Sequence, residues 1–344
     1  MKLGLFLAIG ESFADFDKKG QFDLIKNYLI KNYSQNFDQV NIFSYGNEQL
    51  KLFTNVDVLP NKWNVNRFLY SILLHFFYIK QIRSCDVLRG LQLTGGIPCI
   101  LGKLFFNKPF VINYGYNYVK FARIEGKYLQ SVLFRLIKYP ILLLTDKIII
   151  TAKYLKTEIS NIIPKNKIVV IPNGVDTKLF KPIKTKKTID LLYVGRLEKQ
   201  KNLSNLIKAI SLLPQLNLSL TLVGDGSLKK LLIQTARNYQ VKLTIKPPIS
   251  HHQLPYVLNK ARIFILPSVI EGQPKILLEA LSCGIPIVAS NIMAHQEIII
   301  DGKNGILRGI SADELADGIA KLLRNPNLRA KLTINARQTA IKKI

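Results

Sequence analysis

Short apolar runs alternate with helical stretches along nearly the whole chain, and this order constrains the fold more than any other feature. In the first half, "LGLFLAI", "VNIFS", "DVLRGL", "FVINYG", "KIIITA" and "KIVVIP" read as strands. Between them "QFDLIKNYLIKNY", "NRFLYSILLHFFYIKQIR" and "LQSVLFRLIKYPILLL" read as helices, with Pro140 expected to break the last. In the second half, "DLLYVG", "LSLTLVG", "KLTIK", "RIFILP" and "PIVAS" are strands, and "LSNLIKAISLL", "LKKLLIQTARNY", "LPYVLNKA" and "PKILLEALSC" are helices. A strand–helix–strand order implies parallel sheets covered by helices on both faces. These strands are too many for one compact open sheet, and 344 residues suit two domains. The expected fold class is α/β, with two doubly wound, Rossmann-like domains at residues 1–168 and 189–344. The intervening 169–188, including the turn-rich and lysine-rich "PNGVDTKLFKPIKTKKT", is expected to link them.

Folds of this kind bind ligands past the carboxyl ends of their strands, where loops lead into helices. The chemistry is therefore expected in the loops after Ile9, Gly195, Gly224 and Pro267. Composition says what those loops could meet. The formal charge of +27 implies an anionic partner (nucleic acid, a phosphorylated substrate or an acidic membrane), or else a lysine-rich solvated surface. The charge is uneven: residues 1–58 are about neutral, whereas 59–140 carry twelve basic and two acidic side chains. Cys85, Cys99 and Cys283 have no metal-binding spacing and lie in apolar settings, so buried free thiols in a reducing compartment are expected. The opening "MKLGLFLAIGESFADF" lacks a clear cleavage site and reads as a first buried strand, and no run is long enough to span a bilayer. A cytoplasmic protein is expected.

The loop after the first strand of the second half reads "GRLEKQKNLSNLIKAI". With Asn202 as N-cap, Arg196, Lys199 and Lys201 crowd a helix N-terminus, where the dipole disfavours cations. In "EGQPKILLEALSCG" the same thing recurs: Pro274 suits the first helical position, Gly284 the stop, and Lys275 falls in the first turn. Two cationic helix starts at one sheet edge point to an anion such as a diphosphate, held by backbone N–H groups and Lys/Arg together. The turn Gly224–Asp225–Gly226 is a weak motif, and neither a dinucleotide fingerprint nor a P-loop is present.

Glu271 and Glu279 lie eight positions apart around that second start. Alone they read as a loop acid and an i,i+4 surface pair with Lys275. Beside a bound phosphate they read differently, because carboxylates accept hydrogen bonds from sugar hydroxyls. An anion clamp next to hydroxyl acceptors describes a nucleotide sugar.

The E-x₇-E pattern of Glu271 and Glu279, within "PSVIEGQPKILLEALSCGIPIVAS", resembles the retaining GT-B glycosyltransferases of family 4. The resemblance runs in order through "IPNGVDTKLFKP", "LLYVGRLEKQKNLSNLIKAI", "LTLVGDGSLKKLL", "LPYVLNKARIFILPS" and "DGKNGIL". It implies a GT-B fold whose two sheets face a cleft, with an acceptor-binding first domain and a donor-binding second domain. It implies that Arg196 and Lys201 bind the donor diphosphate, together with Lys275 and Ile276. Glu271 would position the transferred sugar without acting as nucleophile, and Glu279 would hold the ribose. The backbone of Gly272, Gln273 and Pro274 would cradle sugar and phosphate. Gly224 and Asp225 would approach the nucleotide, and Gly10, Glu11 and Tyr114 the acceptor. The implied chemistry is metal-independent, moving a hexose or N-acetylhexosamine from a UDP-sugar or GDP-sugar to a glycan or lipid-linked acceptor. Bacterial cell-surface polysaccharide or lipopolysaccharide synthesis is the implied setting.

The first half departs from the family pattern. "AIGESFAD" has only Gly10 where a Gly-Gly loop is common, and "FVINYGYNYVKFAR" has Asn113, Tyr114 and Gly115 but no His. His75 is expected in the core, and His251 and His252 in a solvated loop. Residues 65–83 mix aromatic and basic side chains and predict a peripheral contact with an anionic membrane. A catalytically silent nucleotide-sugar-binding relative is the alternative from within the fold. A nucleic-acid-binding protein is the alternative from charge, but no recognised module supports it, and no nucleic acid is expected.

Overall fold

The computed structural model describes residues 1–343. The chain divides into two compact units, Met1–Arg123 with Lys127–Ile171, and Ile124–Gly126 with Pro172–Ile344. Each is built on one parallel sheet.

The first sheet holds β1 (Lys2–Phe6), β2 (Gln39–Phe43), β3 (Val56–Leu59), β4 (Val87–Gly90), β5 (Phe110–Tyr114), β6 (Lys147–Ile150) and β7 (Ile168–Val170), in the order β3-β2-β1-β4-β5-β6-β7. The second holds β8 (Ile189–Val194), β9 (Ser219–Val223), β10 (Lys242–Lys246), β11 (Ala261–Leu266), β12 (Ile287–Ser290) and β13 (Ile306–Arg308), in the order β10-β9-β8-β11-β12-β13. All eleven expected strands are present. The two additions, β3 and β13, are edge strands of four and three residues.

The inner strands are buried on both faces, which is why they read as unbroken apolar runs. Leu191, Leu192 and Tyr193 of β8 and Phe264 and Ile265 of β11 are fully buried. Strand β10 sits at the edge, begins and ends in lysine, and is exposed at alternate residues, a pattern that discourages strand addition. Residues 172–188 carry no helix or strand but pack on the second unit. Phe180 is fully buried in that core, and its carbonyl accepts from Ser282 Oγ and Arg337.

Three expected helices differ in the structure, the first being residues 21–33, where a π-helical segment, Ile25–Ile30, separates Phe22–Leu24 from Lys31–Asn36. Residues 66–83 form two helices, Arg67–Phe77 and Ile79–Ser84, broken at Tyr78, whose hydroxyl donates to the Pro60 carbonyl. The helix Tyr128–Leu144 instead runs unbroken through Pro140. Pro140 is exposed, as is Leu136, so the carbonyl it leaves without a helical partner is on the solvent side. A helix absent from the sequence reading, Gly96–Phe106, packs against Arg67–Phe77 and Tyr128–Leu144 on the first sheet. All three cysteines are buried and unpaired, and His75 is buried among Phe6, Phe105 and Phe106.

Candidate functional site

In the second sheet the strand order reverses between β8 and β11, which are adjacent and parallel. The loop after β8 carries Arg196, Lys199 and Lys201, and the loop after β11 carries Glu271. The two stretches singled out for unusual charge thus leave the same sheet edge at its topological switch point, where such folds open a crevice.

Backbone contacts bind these loops together. Leu197 N–H donates to the Asp225 carbonyl at 2.9 Å, and Leu228 N–H to the Leu197 carbonyl at 3.0 Å. Gly224 has φ +146°, and a Cβ there would lie 2.0 Å from the Gly195 carbonyl oxygen. Only glycine lets the loops after β8 and β9 approach so closely. Val269 N–H donates to the Gln200 carbonyl at 2.8 Å, tying the loop after β11 to the short 3₁₀ turn Lys199–Lys201. On its other side the Glu271 loop is held by Asn173, whose side chain donates to the Gln273 carbonyl at 2.8 Å and whose N–H donates to Gln273 Oε1.

At the centre, Lys201 Nζ donates to Glu271 Oε1, and Ser268 Oγ donates to the same oxygen at 2.7 Å. Both charged side chains are nearly buried, at 12% and 9% exposure. Burial pushes the Glu271 carboxyl up, but the Lys201 charge and the hydrogen bonds outweigh it and hold the group below its ordinary range. Within electrostatic reach of the pair is His295, fully buried, its Nδ1 donating to the Ser290 carbonyl at 2.8 Å. Burial drives its imidazole down to about 4, so it is neutral, and its Nε2 has no hydrogen-bond partner among the described residues. No sequence signal marked His295, which lies 24 positions beyond Glu271 on a short helix, Met293–Gln296.

Glu279 lies on the helix Lys275–Ser282, buried, and its Oε1 meets His251 Nε2 at 3.0 Å. His251 is therefore not solvated as expected. Its side chain is 10% exposed and rests on the Phe180 ring, with centroids 5.0 Å apart. The partner that pulled it inward, Glu279, is 28 residues away and invisible to local reading. Pro274 stands just before the first helical residue, Lys275, which is exposed; Ile276 is half-buried. Gly284 ends the helix at φ +66°. Arg196 is exposed, and its carbonyl accepts from Tyr193 Oη. Asn202 stands at the N-cap of Leu203–Ser211 but does not cap with its side chain. It adopts a left-handed conformation and donates instead to the Ile310 carbonyl at 2.8 Å. Asp225 is exposed and 3.9 Å from Lys229.

In the first unit, Gly10 lies after β1 at φ +83°, with Arg67 packed where a side chain would be. Glu11 beside it is held above its ordinary range by burial. Tyr114 corrects the sequence reading: it ends β5 with its ring fully buried, under Lys138, so its side chain belongs to the core and not to an acceptor loop.

Residues 175–339, which contain both glutamates and both cation clusters, match the family described as "Glycosyl transferases group 1". The second domain is a group 1 glycosyltransferase domain. It is similar to an uncharacterized glycosyltransferase of Methanocaldococcus jannaschii, 29% identical over 197 residues, covering 56% of this chain and 54% of that one. It is also similar to the UDP-Gal:alpha-D-GlcNAc-diphosphoundecaprenol alpha-1,3-galactosyltransferase of Escherichia coli, 33% identical over 178 residues, covering 46% and 45%. The chain spans about half the length of these two curated relatives. Among solved structures, Anabaena HepE in complex with UDP-glucose superposes with a TM-score of 0.77 at 18% identity, over 100% of this chain and 95% of that one. The glycosyltransferase domain and the domain before it together have the GT-B fold, two Rossmann-like units each on a parallel sheet.

Proposed function

We propose that the protein is a retaining glycosyltransferase that moves a hexose or N-acetylhexosamine from a nucleoside-diphosphate sugar to a glycan or lipid-linked acceptor. The observation that carries this reading is the buried Lys201–Glu271 pair at the switch point of the second sheet, with exposed Arg196 on the same loop as the lysine. A cation and a carboxylate held together there offer one group to a diphosphate and one to a sugar. The solved relative that holds UDP-glucose and the curated relative named for a UDP-Gal donor support the same ligand class.

Each residue has a role in this reading. Arg196 and Lys201, with Lys275 and the backbone at Ile276, neutralise the diphosphate as it leaves, without a metal ion. Glu271 positions the sugar by accepting hydroxyl hydrogens. Its low proton affinity suits an acceptor that stays ionised. Glu279 holds the ribose, and Gly272, Gln273 and Pro274 frame the sugar. In transfer the anomeric carbon–diphosphate oxygen bond breaks and a bond to the acceptor oxygen forms on the same face. The acceptor proton passes to the departing diphosphate. The first domain, near Gly10 and Glu11, binds the acceptor, and the enzyme works at the cytoplasmic face of a membrane.

The test is a transfer assay with UDP- and GDP-sugars and a lipid-diphosphate-linked sugar acceptor, with the product's anomeric configuration read by nuclear magnetic resonance. Retention of the donor's configuration is expected. An inverted product, or no transfer and no donor hydrolysis with any sugar nucleotide, would overturn the reading.

A further inference from the structure

The loop after β3, between Leu59 and Arg67, holds the chain's one tryptophan, Trp63, fixed and exposed. Its ring stacks on Phe77, with centroids 3.9 Å apart and planes 19° from parallel. Tyr78 packs against it at 70°, with centroids 5.6 Å apart. The residue is still 46% exposed, so the ring surface that these two neighbours leave open faces water. Phe77 continues inward to Tyr70, and Tyr78 to Phe43 and Phe6. The indole is the outer end of an aromatic array rooted in the core.

Hydrogen bonds hold the loop in that position. Buried Asn61 donates through Nδ2 to the Val65 carbonyl at 2.7 Å and accepts from Val65 N–H at 3.2 Å. Its own N–H donates to the Gly46 carbonyl at 2.8 Å, and Tyr78 Oη donates to the Pro60 carbonyl at 2.5 Å. The same bonds join the loop to its neighbours at the carboxyl edge of the first sheet, where such folds bind ligands. Gly46 lies in the loop after β2, whose Tyr45 N–H donates to the Glu11 carbonyl at 3.2 Å. Arg67, just past the tryptophan loop, packs on Gly10. Trp63 therefore stands on the same rim as Gly10 and Glu11. A large ring held rigid and left wet gives up both conformational freedom and apolar burial. Pre-organisation for a ligand accounts for both losses.

We propose that Trp63 is a stacking platform for a pyranose ring of the acceptor. The face of an aromatic ring is electron-rich, and the C–H groups on one face of a pyranose are slightly positive and apolar, so the two pack flat. The sugar's hydroxyls then lie at the rim of the contact. Lys62 and Asn64, both exposed, adjoin the tryptophan in sequence and bring donors and an acceptor to that rim. One aromatic surface with a few polar groups around it is the composition of a small-molecule site. The proposal rests on the glycosyltransferase reading and narrows its acceptor: a sugar ring is bound at this point, whether the acceptor is a free glycan or lipid-linked.

With a single tryptophan in the chain, Trp63 is its own reporter. Methyl glycosides of glucose, galactose and N-acetylglucosamine are titrated into the full chain while tryptophan emission and its quenching by acrylamide are followed. At least one glycoside is expected to shift the emission saturably, at roughly millimolar concentrations, and to shield the ring from acrylamide. In the transfer assay, Trp63→Ala is expected to raise KM for the acceptor at least about tenfold while kcat changes far less. Trp63→Phe, which keeps an aromatic face, is expected to recover most of that loss. Thermal melting of each variant, with and without UDP, is the folding control. No response to any glycoside, or an acceptor KM unchanged in Trp63→Ala, would overturn the proposal. So would emission that responds to phosphatidylcholine vesicles and to no glycoside. Glycoside binding without UDP stabilisation or transfer leaves the platform standing and sinks the glycosyltransferase reading. Transfer indifferent to Trp63→Ala does the reverse.

Discussion

Lys201 and Glu271 are each tolerable in a nearly buried site because of the other. Removing the lysine leaves a buried carboxylate held only by Ser268 and its surroundings. Lys201→Ala is therefore expected to cost about 3 kcal/mol in urea unfolding. Adding Glu271→Gln is expected to restore much of that loss, because the remaining group is neutral; equal stability of the single and double variants would contradict the pairing. His251 acts more gently. Its Nε2 meets one oxygen of Glu279 and orients the carboxylate, whose other oxygen the proposed reading gives to the ribose. His251→Ala is expected to weaken nucleotide binding by about tenfold, while His251→Gln, which can still donate, retains most of it. Titration calorimetry on both variants separates this from a merely structural effect, since a packing role on Phe180 would not distinguish them in this way. The spacing of the two glutamates is legible in the sequence. Their partners are not, because Lys201 and His251 reach them across 70 and 28 residues through the fold of the sheet.

At the scale of elements, glycine decides whether the loops after β8 and β9 can close together. Gly224→Ala would force a Cβ into the Gly195 carbonyl at a φ that side chains rarely adopt, and a loss above about 2 kcal/mol is expected. Gly302 is the control: its φ of +68° is also left-handed, but nothing lies within 4 Å of a new Cβ. Gly302→Ala is expected to cost only about 1 kcal/mol, and melting curves of the two variants should differ clearly. The strands were readable because burial on both faces makes them continuous apolar runs. Strand β3 was missed because "VDVL" alternates at a sheet edge, and β13 because "ILR" has only two apolar residues before a charge, whereas the equally short β7 lies in the apolar run "KIVVIP". Helix Gly96–Phe106 was missed for another reason: "GIPCILGKLFF" has glycines and a proline where a helix is expected to avoid them. Those glycines serve packing. A Cβ at Gly102 would lie 2.3 Å from Leu88, and one at Gly96 would lie 2.7 Å from Ile141. Local propensity gave way to tertiary contact.

The whole molecule should respond to acid through its buried histidines. His75 and His295 are held neutral in the folded state, with values of about 4 caused chiefly by burial. Unfolded, they take up protons near the ordinary value of 6.5. The unfolded chain therefore binds more protons between pH 6.5 and 4, and stability falls as the pH is lowered through that window. The expected loss is on the order of 3 kcal/mol for each histidine, read from urea midpoints. His75→Phe should flatten the curve, and a curve unchanged by that variant would contradict the assignment. Glu271 acts below this range. Its carboxyl is depressed, so its stabilisation is present above the unfolded value and is lost only as the pH falls through the lower folded one.

The donor site itself is tested most directly by calorimetric titration of UDP and GDP into the full chain, with a chelator present to remove divalent ions. Binding of at least one nucleotide is expected in the chelator. Arg196→Ala, an exposed change, should weaken it by about tenfold, and Arg196→Ala with Lys201→Ala by a hundredfold or more, about 2.7 kcal/mol. Affinity unchanged in the double variant, or binding that appears only when a metal ion is restored, would contradict a diphosphate held by Arg196 and Lys201.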